Sequence, residues 1–129
     1  GFSVISAIFL LVVLSFLGVA MVTFSTTQHQ SAAMDVMGSR AYQAARTGVE
    51  WAAYQIVNGN AANCAKVFNP GDLGTGVLSP FTVTVTCAAT AVSGETISNV
   101  YLVTSTAVTG GSAGMPGYVE RVISTKMGF

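Results

Sequence analysis

Charged side chains are scarce in this chain and are absent from its first 34 residues. Only ten of its 129 residues are charged, five of each sign, and the first of them is Asp35. Because a nucleic-acid binder needs a surplus of basic side chains to displace counterions, this balance excludes an electrostatic nucleic-acid partner. A composition that is apolar and weakly charged also excludes a disordered chain. The length excludes a large multidomain enzyme.

The side chains that form most catalytic and metal sites are also few. His29 is the single histidine, and it has no acidic neighbour in sequence. The carboxylates are scattered instead of paired as glycosidases and aspartic proteases require. They are Asp35, Glu50, Asp72, Glu95 and Glu120. Gly71, Gly74 and Gly76 lack the spacing and the following lysine of a phosphate-binding loop. We therefore expect no enzymatic activity, no cofactor and no catalytic or metal site.

No proline precedes Pro70, and the chain opens with a long apolar run. Residues 2–24 read FSVISAIFLLVVLSFLGVAMVTF. At about 1.5 Å per residue this run extends roughly 35 Å, which exceeds a hydrocarbon core of about 30 Å. We predict a transmembrane helix. The alternative is a signal peptide cleaved near Ala20, but no basic residue precedes the run, and the run continues past that point to Phe24.

Cysteine is limited to Cys64 and Cys87, both of which follow the apolar run. Two cysteines and one distant histidine cannot complete a tetrahedral zinc site. We favour a disulfide, which places the chain after the helix in an oxidising compartment. Two unpaired buried thiols are the alternative.

The helix is predicted to continue beyond the apolar run, because no helix breaker follows Phe24. Apolar residues recur there at spacings of three and four, which marks one face of a helix. That face comprises Tyr42, Ala45, Val49, Ala52 and Ile56. Arg46 and Glu50 form an i,i+4 pair, and Asn58-Gly59 is a favourable helix end. We expect one helix from about Phe2 to Val57.

Three residues lie away from that predicted apolar face: Arg40, Ala44 and Trp51. An exposed aromatic side chain on a helix is typical of an interaction surface. We therefore consider these residues a candidate subunit interface. The alternative is that the chain after Asn58 folds back over Trp51.

The remainder of the chain is predicted to form a small β-sheet. Residues 81–87 alternate apolar and threonine side chains, residues 96–108 are rich in β-branched residues, and residues 118–125 follow a glycine-rich turn. Residues 59–79 read as a connecting loop. We expect an α+β fold: a long N-terminal helix packed on a small antiparallel sheet of three or four strands. The expected parts are a membrane half (1–25), an amphipathic half (26–58) and a disulfide-linked β-sheet head domain (59–129).

The opening GFSVISAIFLLVV resembles the amino-terminal region of type IV pilins and pseudopilins. The continuation SRAYQAARTGVEWAAYQI is similar to minor pilins of the mannose-sensitive haemagglutinin pilus, the MshP-like group. The resemblance covers about the first 57 residues. It implies that prepilin peptidase cleaves between Gly1 and Phe2, after which Phe2 is methylated.

The resemblance also implies how such a subunit assembles. It would wait in the bacterial inner membrane and then pack its helix against copies of itself or other pilins in an extracellular filament, with the help of the pilus assembly machinery. The assembly residues would be Phe2, Ser6, Phe9, Val12, Ser15, Phe16, Gly18 and Ala20. Family members usually carry Glu as the fifth mature residue, where this chain has Ser6. The helix-bending proline of many major pilins is also missing, although Gly18 could replace it.

Two functions follow as hypotheses. The first is a filament subunit, of the minor or tip type because Ser6 replaces Glu, or else the main subunit. The second is a bitopic membrane anchor with an outer domain in a stable envelope complex. The second hypothesis explains the apolar run and the disulfide equally well, but not the resemblance at the Gly-Phe pair.

Overall fold

A computed structural model describes residues 1–93 and 99–128. The first element is the helix α1 (Phe2–Val57), followed by a short 3₁₀ turn (Ala61–Asn63). Four strands complete the order: β1 (Lys66–Phe68), β2 (Thr82–Ala91), β3 (Asn99–Thr109) and β4 (Val119–Gly128). They form one antiparallel sheet in the order β1-β2-β3-β4. The predicted α+β fold, a long apolar helix packed on an antiparallel sheet, is confirmed.

The chain divides into two compact units, Gly1–Asp35 and Val36–Phe129. The first unit is helix alone, and almost all of its side chains are exposed. The second unit contains the rest of α1 and the sheet. Its core is formed by apolar side chains of β2 and β3 with small residues of α1. The largest fully buried apolar side chains are Phe81, Val83, Val85 and Val103.

The helix ends where the sequence predicts. The N–H of Asn60 donates to the carbonyl of Gln55 (2.9 Å) and the N–H of Gly59 to that of Ile56 (3.1 Å). These two bonds form a Schellman motif, which needs a residue with positive φ. Gly59 supplies it with φ of +72°. The Arg46–Glu50 pair is also present at 2.9 Å, with both side chains exposed.

The predicted packed face of α1 is confirmed at Ala45, Ala52 and Ile56, which are buried, but not at Tyr42. Tyr42 is 52% exposed, whereas Ala41 and Ala44 are completely buried. Gly48 is buried too, because it lies where α1 comes closest to the sheet. A β-carbon on Gly48 would lie 2.9 Å from methyl groups of Val83 and Val85. Small residues therefore form the contact, and the aromatic residues flank it.

The sheet has one strand more than the pattern located. β1 lies inside the predicted loop 59–79, so that prediction was wrong for residues 66–68. Residues 96–98 of the second predicted strand fall outside the described part of the chain, and β3 is described from Asn99. The third predicted strand extends to Gly128. The alternation in β2 is confirmed, since Val83 and Val85 are buried while Thr86 is exposed.

Candidate functional site

The apolar half of α1 has the properties of a surface that requires a non-aqueous environment. The helix is long and apolar enough to cross a membrane, and no residue of its most apolar 18-residue window is buried within the chain. Phe2 is 91% exposed. Among the predicted assembly residues only Ala20 is partly buried. The exposed ones are Phe2, Ser6, Phe9, Val12, Ser15, Phe16 and Gly18.

A shallow apolar groove lies on this half of the helix, around Ser15. Its volume is about 430 Å³. The lining residues are Leu11, Val12, Ser15, Phe16 and Val19. The groove lies at Ser15, whose side chain is smaller than those of the neighbouring lining residues.

Hydroxyl groups in this part of α1 bond to the helix itself. Ser15 donates to the carbonyl of Leu11 at 2.7 Å. Four more side chains donate to the carbonyl four residues earlier at 3.0 Å: Thr23, Thr26, Thr27 and Ser31. These bonds were not predicted from the sequence. The signal was available, since Ser and Thr in helices commonly bond to the i−4 carbonyl.

The predicted interface of Arg40, Ala44 and Trp51 does not form one exposed surface. Ala44 is completely buried against the sheet, so its assignment to an exposed face was wrong. Arg40 and Trp51 are partly buried. Small residues of α1 lie closest to the sheet, and Ala44 is one of them.

Trp51 is covered by the chain after Asn58, which was the alternative left open by the sequence. Its ring meets that of Phe68 edge to face, with centroids 5.3 Å apart. The Lys66 amine lies 5.6 Å from the Trp51 ring centroid and 4.8 Å from that of Phe68. Strand β1 thus supplies two side chains, Phe68 and Lys66, that lie against Trp51, and the sequence pattern did not identify them.

The disulfide between Cys64 and Cys87 is present, with Cα atoms 6.1 Å apart. It joins the segment before β1 to the middle of β2, so the prediction of a disulfide is confirmed. Cys64 is 2% exposed. Because β1 pairs with β2 through only three residues, the covalent link holds this short strand in place.

One polar pair stands at the start of β4. The Tyr118 hydroxyl donates a hydrogen bond to the Glu120 carboxylate at 2.5 Å. This bond raises the pKa of Tyr118 above its ordinary 10.0, with smaller contributions from desolvation and from the charge of Glu120.

The structure brings together no cluster of three or more potential metal-ligating side chains within residues 1–93 and 99–128. Gly1 precedes the helix and is exposed, as is Phe2. Cleavage between these two residues stays a prediction.

Comparisons of the chain with protein-family models, with curated proteins and with solved structures find no match.

Proposed function

We propose that this protein is a structural subunit of an extracellular type IV pilus-like or pseudopilus filament, held in the bacterial inner membrane before assembly. One observation carries the proposal: no residue in the most apolar window of α1 is buried, and the second half of the same helix packs on a sheet. A side-chain surface of this kind needs lipid or other helices around it. The amino-terminal resemblance to pilins favours a filament over a permanent membrane anchor.

Assembly would exchange lipid for neighbouring helices. Lipid tails are as apolar as leucine, so close packing must favour the assembled state. The groove around Ser15 and the nearby Gly18 permit such close approach. The disulfide-linked sheet domain would form the outer layer of the filament. Ser6 in place of the usual Glu favours a minor or tip subunit over the main one.

The test places a charge in the proposed filament core. Val12→Lys should abolish filaments, because a lysine in an apolar helix bundle lacks both water and a partner. Val57→Lys is the matched control, since Val57 belongs to the same helix and is equally exposed, at 63% against 62%. Electron microscopy of cells producing each variant, with immunoblots of membrane fractions, gives the result. Abundant normal filaments that contain the Val12→Lys variant would contradict the proposal.

Sequencing the amino terminus of the native protein separates the two hypotheses. N-methylated Phe2 would identify prepilin processing, whereas an intact upstream segment would favour the anchor. Counting copies per filament by quantitative mass spectrometry then distinguishes a tip subunit from the main subunit.

A further inference from the structure

The sheet face turned away from α1, here called the outer face, consists of the even-numbered residues of β2, β3 and β4. The register pairs even with even residues across these strands. Odd-numbered residues such as Val83, Val103 and Ser105 are buried beneath the helix. A 3.0 Å contact between the hydroxyls of Thr104 and Ser124 confirms that neighbouring strands share this outer face.

The outer face is nearly free of charge. Its described residues carry hydroxyl or apolar side chains or are glycine, apart from the charged Glu120 and Lys126. Val122 is 55% exposed and Leu102 is 41% exposed. A face with one charge of each sign does not repel a second copy of itself, whereas faces with a single sign of charge would.

The two charges are placed symmetrically. Both belong to β4, and each is three residues from Ile123. Consider a two-fold axis that lies in the plane of the outer face and runs across the strands at the level of Ile123. It would place β4 of one copy over β4 of the other, with the two strands antiparallel. Glu120 of each copy would then face Lys126 of the other. The face is therefore complementary in charge to itself.

The direction of α1 agrees with this arrangement. Gly38 lies beneath the guanidinium of Arg121 in β4, Gly48 lies against Ser105 in β3, and Trp51 contacts Phe68 in β1. The packed half of α1 thus crosses the sheet from β4 to β1. The two-fold axis runs in the same direction across the strands. Rotation about it reverses the strands but retains the direction of the helix, so two copies can share one polarity.

We propose that the outer face binds the outer face of a second copy of this chain. The inference rests on the proposed function in one respect: in a filament, the contact would join subunits of neighbouring filaments side by side. Three strands about 4.8 Å apart, each about ten residues long, give the outer face an area of roughly 480 Å² per copy. That is below the ~800 Å² per partner of standard interfaces. A single contact would be weak, and repetition along two filaments would strengthen it.

The experiment is a charge exchange in the purified full chain, measured by sedimentation velocity in detergent micelles at low ionic strength. Glu120→Lys and Lys126→Glu should each weaken self-association about tenfold, because each replaces two attractions by two repulsions. The double variant E120K/K126E should restore association to within about threefold of the original.

Two controls accompany the series. R46E/E50K exchanges another exposed ion pair, located on α1, and should leave association unchanged. Tyr118→Phe removes the hydrogen bond to Glu120 without changing the charge of the outer face, and should also leave association unchanged.

Several results would overturn the proposed contact. They are a monomeric original chain, single variants that associate as the original does, and a double variant that associates as weakly as the single variants.

Electron microscopy distinguishes failure of the proposed contact from failure of the filament proposal. Single variants that form dispersed filaments, with bundles restored in the double variant, would support both. Variants that form unchanged bundles would refute the contact alone. Absence of filaments from the original chain would refute the filament alone.

Discussion

Gly48 of α1 lies directly against Ser105 of β3. A β-carbon on Gly48 would overlap the Ser105 hydroxyl and lie 2.9 Å from one methyl group each of Val83 and Val85. The absence of a side chain at Gly48 therefore sets how closely the helix approaches the sheet.

Gly48→Ala is expected to destabilise the second unit by about 1–3 kcal/mol, since overpacking exceeds the gain in helix propensity of about 1 kcal/mol. Gly38→Ala is the matched control, because the atom nearest to its β-carbon would belong to the flexible Arg121 guanidinium, at 3.2 Å. Its free energy of unfolding should stay equal or rise slightly. Chemical denaturation measures both, and a Gly48→Ala variant as stable as Gly38→Ala would refute the close-contact interpretation.

Ser105→Ala is expected to leave stability unchanged or to raise it by about 1 kcal/mol. The Ser105 hydroxyl is buried and has no hydrogen-bond partner among the described residues. Such a group loses its hydrogen bonds to water on folding and forms none in their place, which destabilises the folded state. Ser124→Ala serves for comparison, since that hydroxyl is exposed and contacts Thr104; its effect should stay within about 0.5 kcal/mol. A free energy of unfolding that falls by several kcal/mol in Ser105→Ala, measured by chemical denaturation, would indicate an unrecognised bond.

Loss of the disulfide should destabilise the sheet domain. The cysteines are 23 residues apart, and closing a loop of this size contributes about 3 kcal/mol. The double variant C64A/C87A should therefore melt about 10–20 °C lower. Displacement of Phe68 from Trp51, the single tryptophan, should shift its fluorescence to longer wavelength. The original protein under reducing conditions, which also lacks the disulfide, should show the same changes. A variant with unchanged melting temperature and emission would contradict this role.

Tyr118 should ionise at a higher pH than an ordinary tyrosine, because its pKa is raised. Its hydrogen bond to Glu120 raises its pKa above 10.0, so the folded state holds the phenolic proton more tightly than the unfolded state does. The stabilisation is present below the unfolded pKa and is lost as pH rises through the folded pKa. Near-ultraviolet titration of the original protein and of Tyr118→Phe should differ by one component above pH 10. Glu120→Gln should move that component down, and a component at or below pH 10 would contradict the prediction.

Much of the fold could be predicted because its signals are local. The apolar run, the absence of proline before Pro70 and the Asn58-Gly59 pair determine the helix over short stretches of sequence. The alternation in β2 needs only its own residues. Strand β1 could not be predicted, since three residues show no period and its position depends on pairing with Thr84 and its neighbours and on a distant disulfide.

The packed face of α1 was predicted only in part, for another physical reason. The spacing counted Tyr42 as part of the apolar face and passed over Gly48, whereas close contact between a helix and a sheet selects small residues. Ala44 and Gly48 therefore form the contact. The covering of Trp51 by Phe68 depends on the fold of a loop, so the sequence could only leave it as one of two alternatives.

The back-bonded hydroxyls of α1 change what a neighbouring molecule meets. Thr23, Thr26 and Thr27 each direct the hydroxyl hydrogen to a carbonyl of their own helix. What each threonine then presents outward is largely its methyl group. The apolar surface of α1 therefore continues about one turn past Phe24, where the sequence already becomes polar. Hydropathy alone would therefore place the end of a membrane span in α1 too early. The hydrogen bonds of these threonines should be included when that end is assigned.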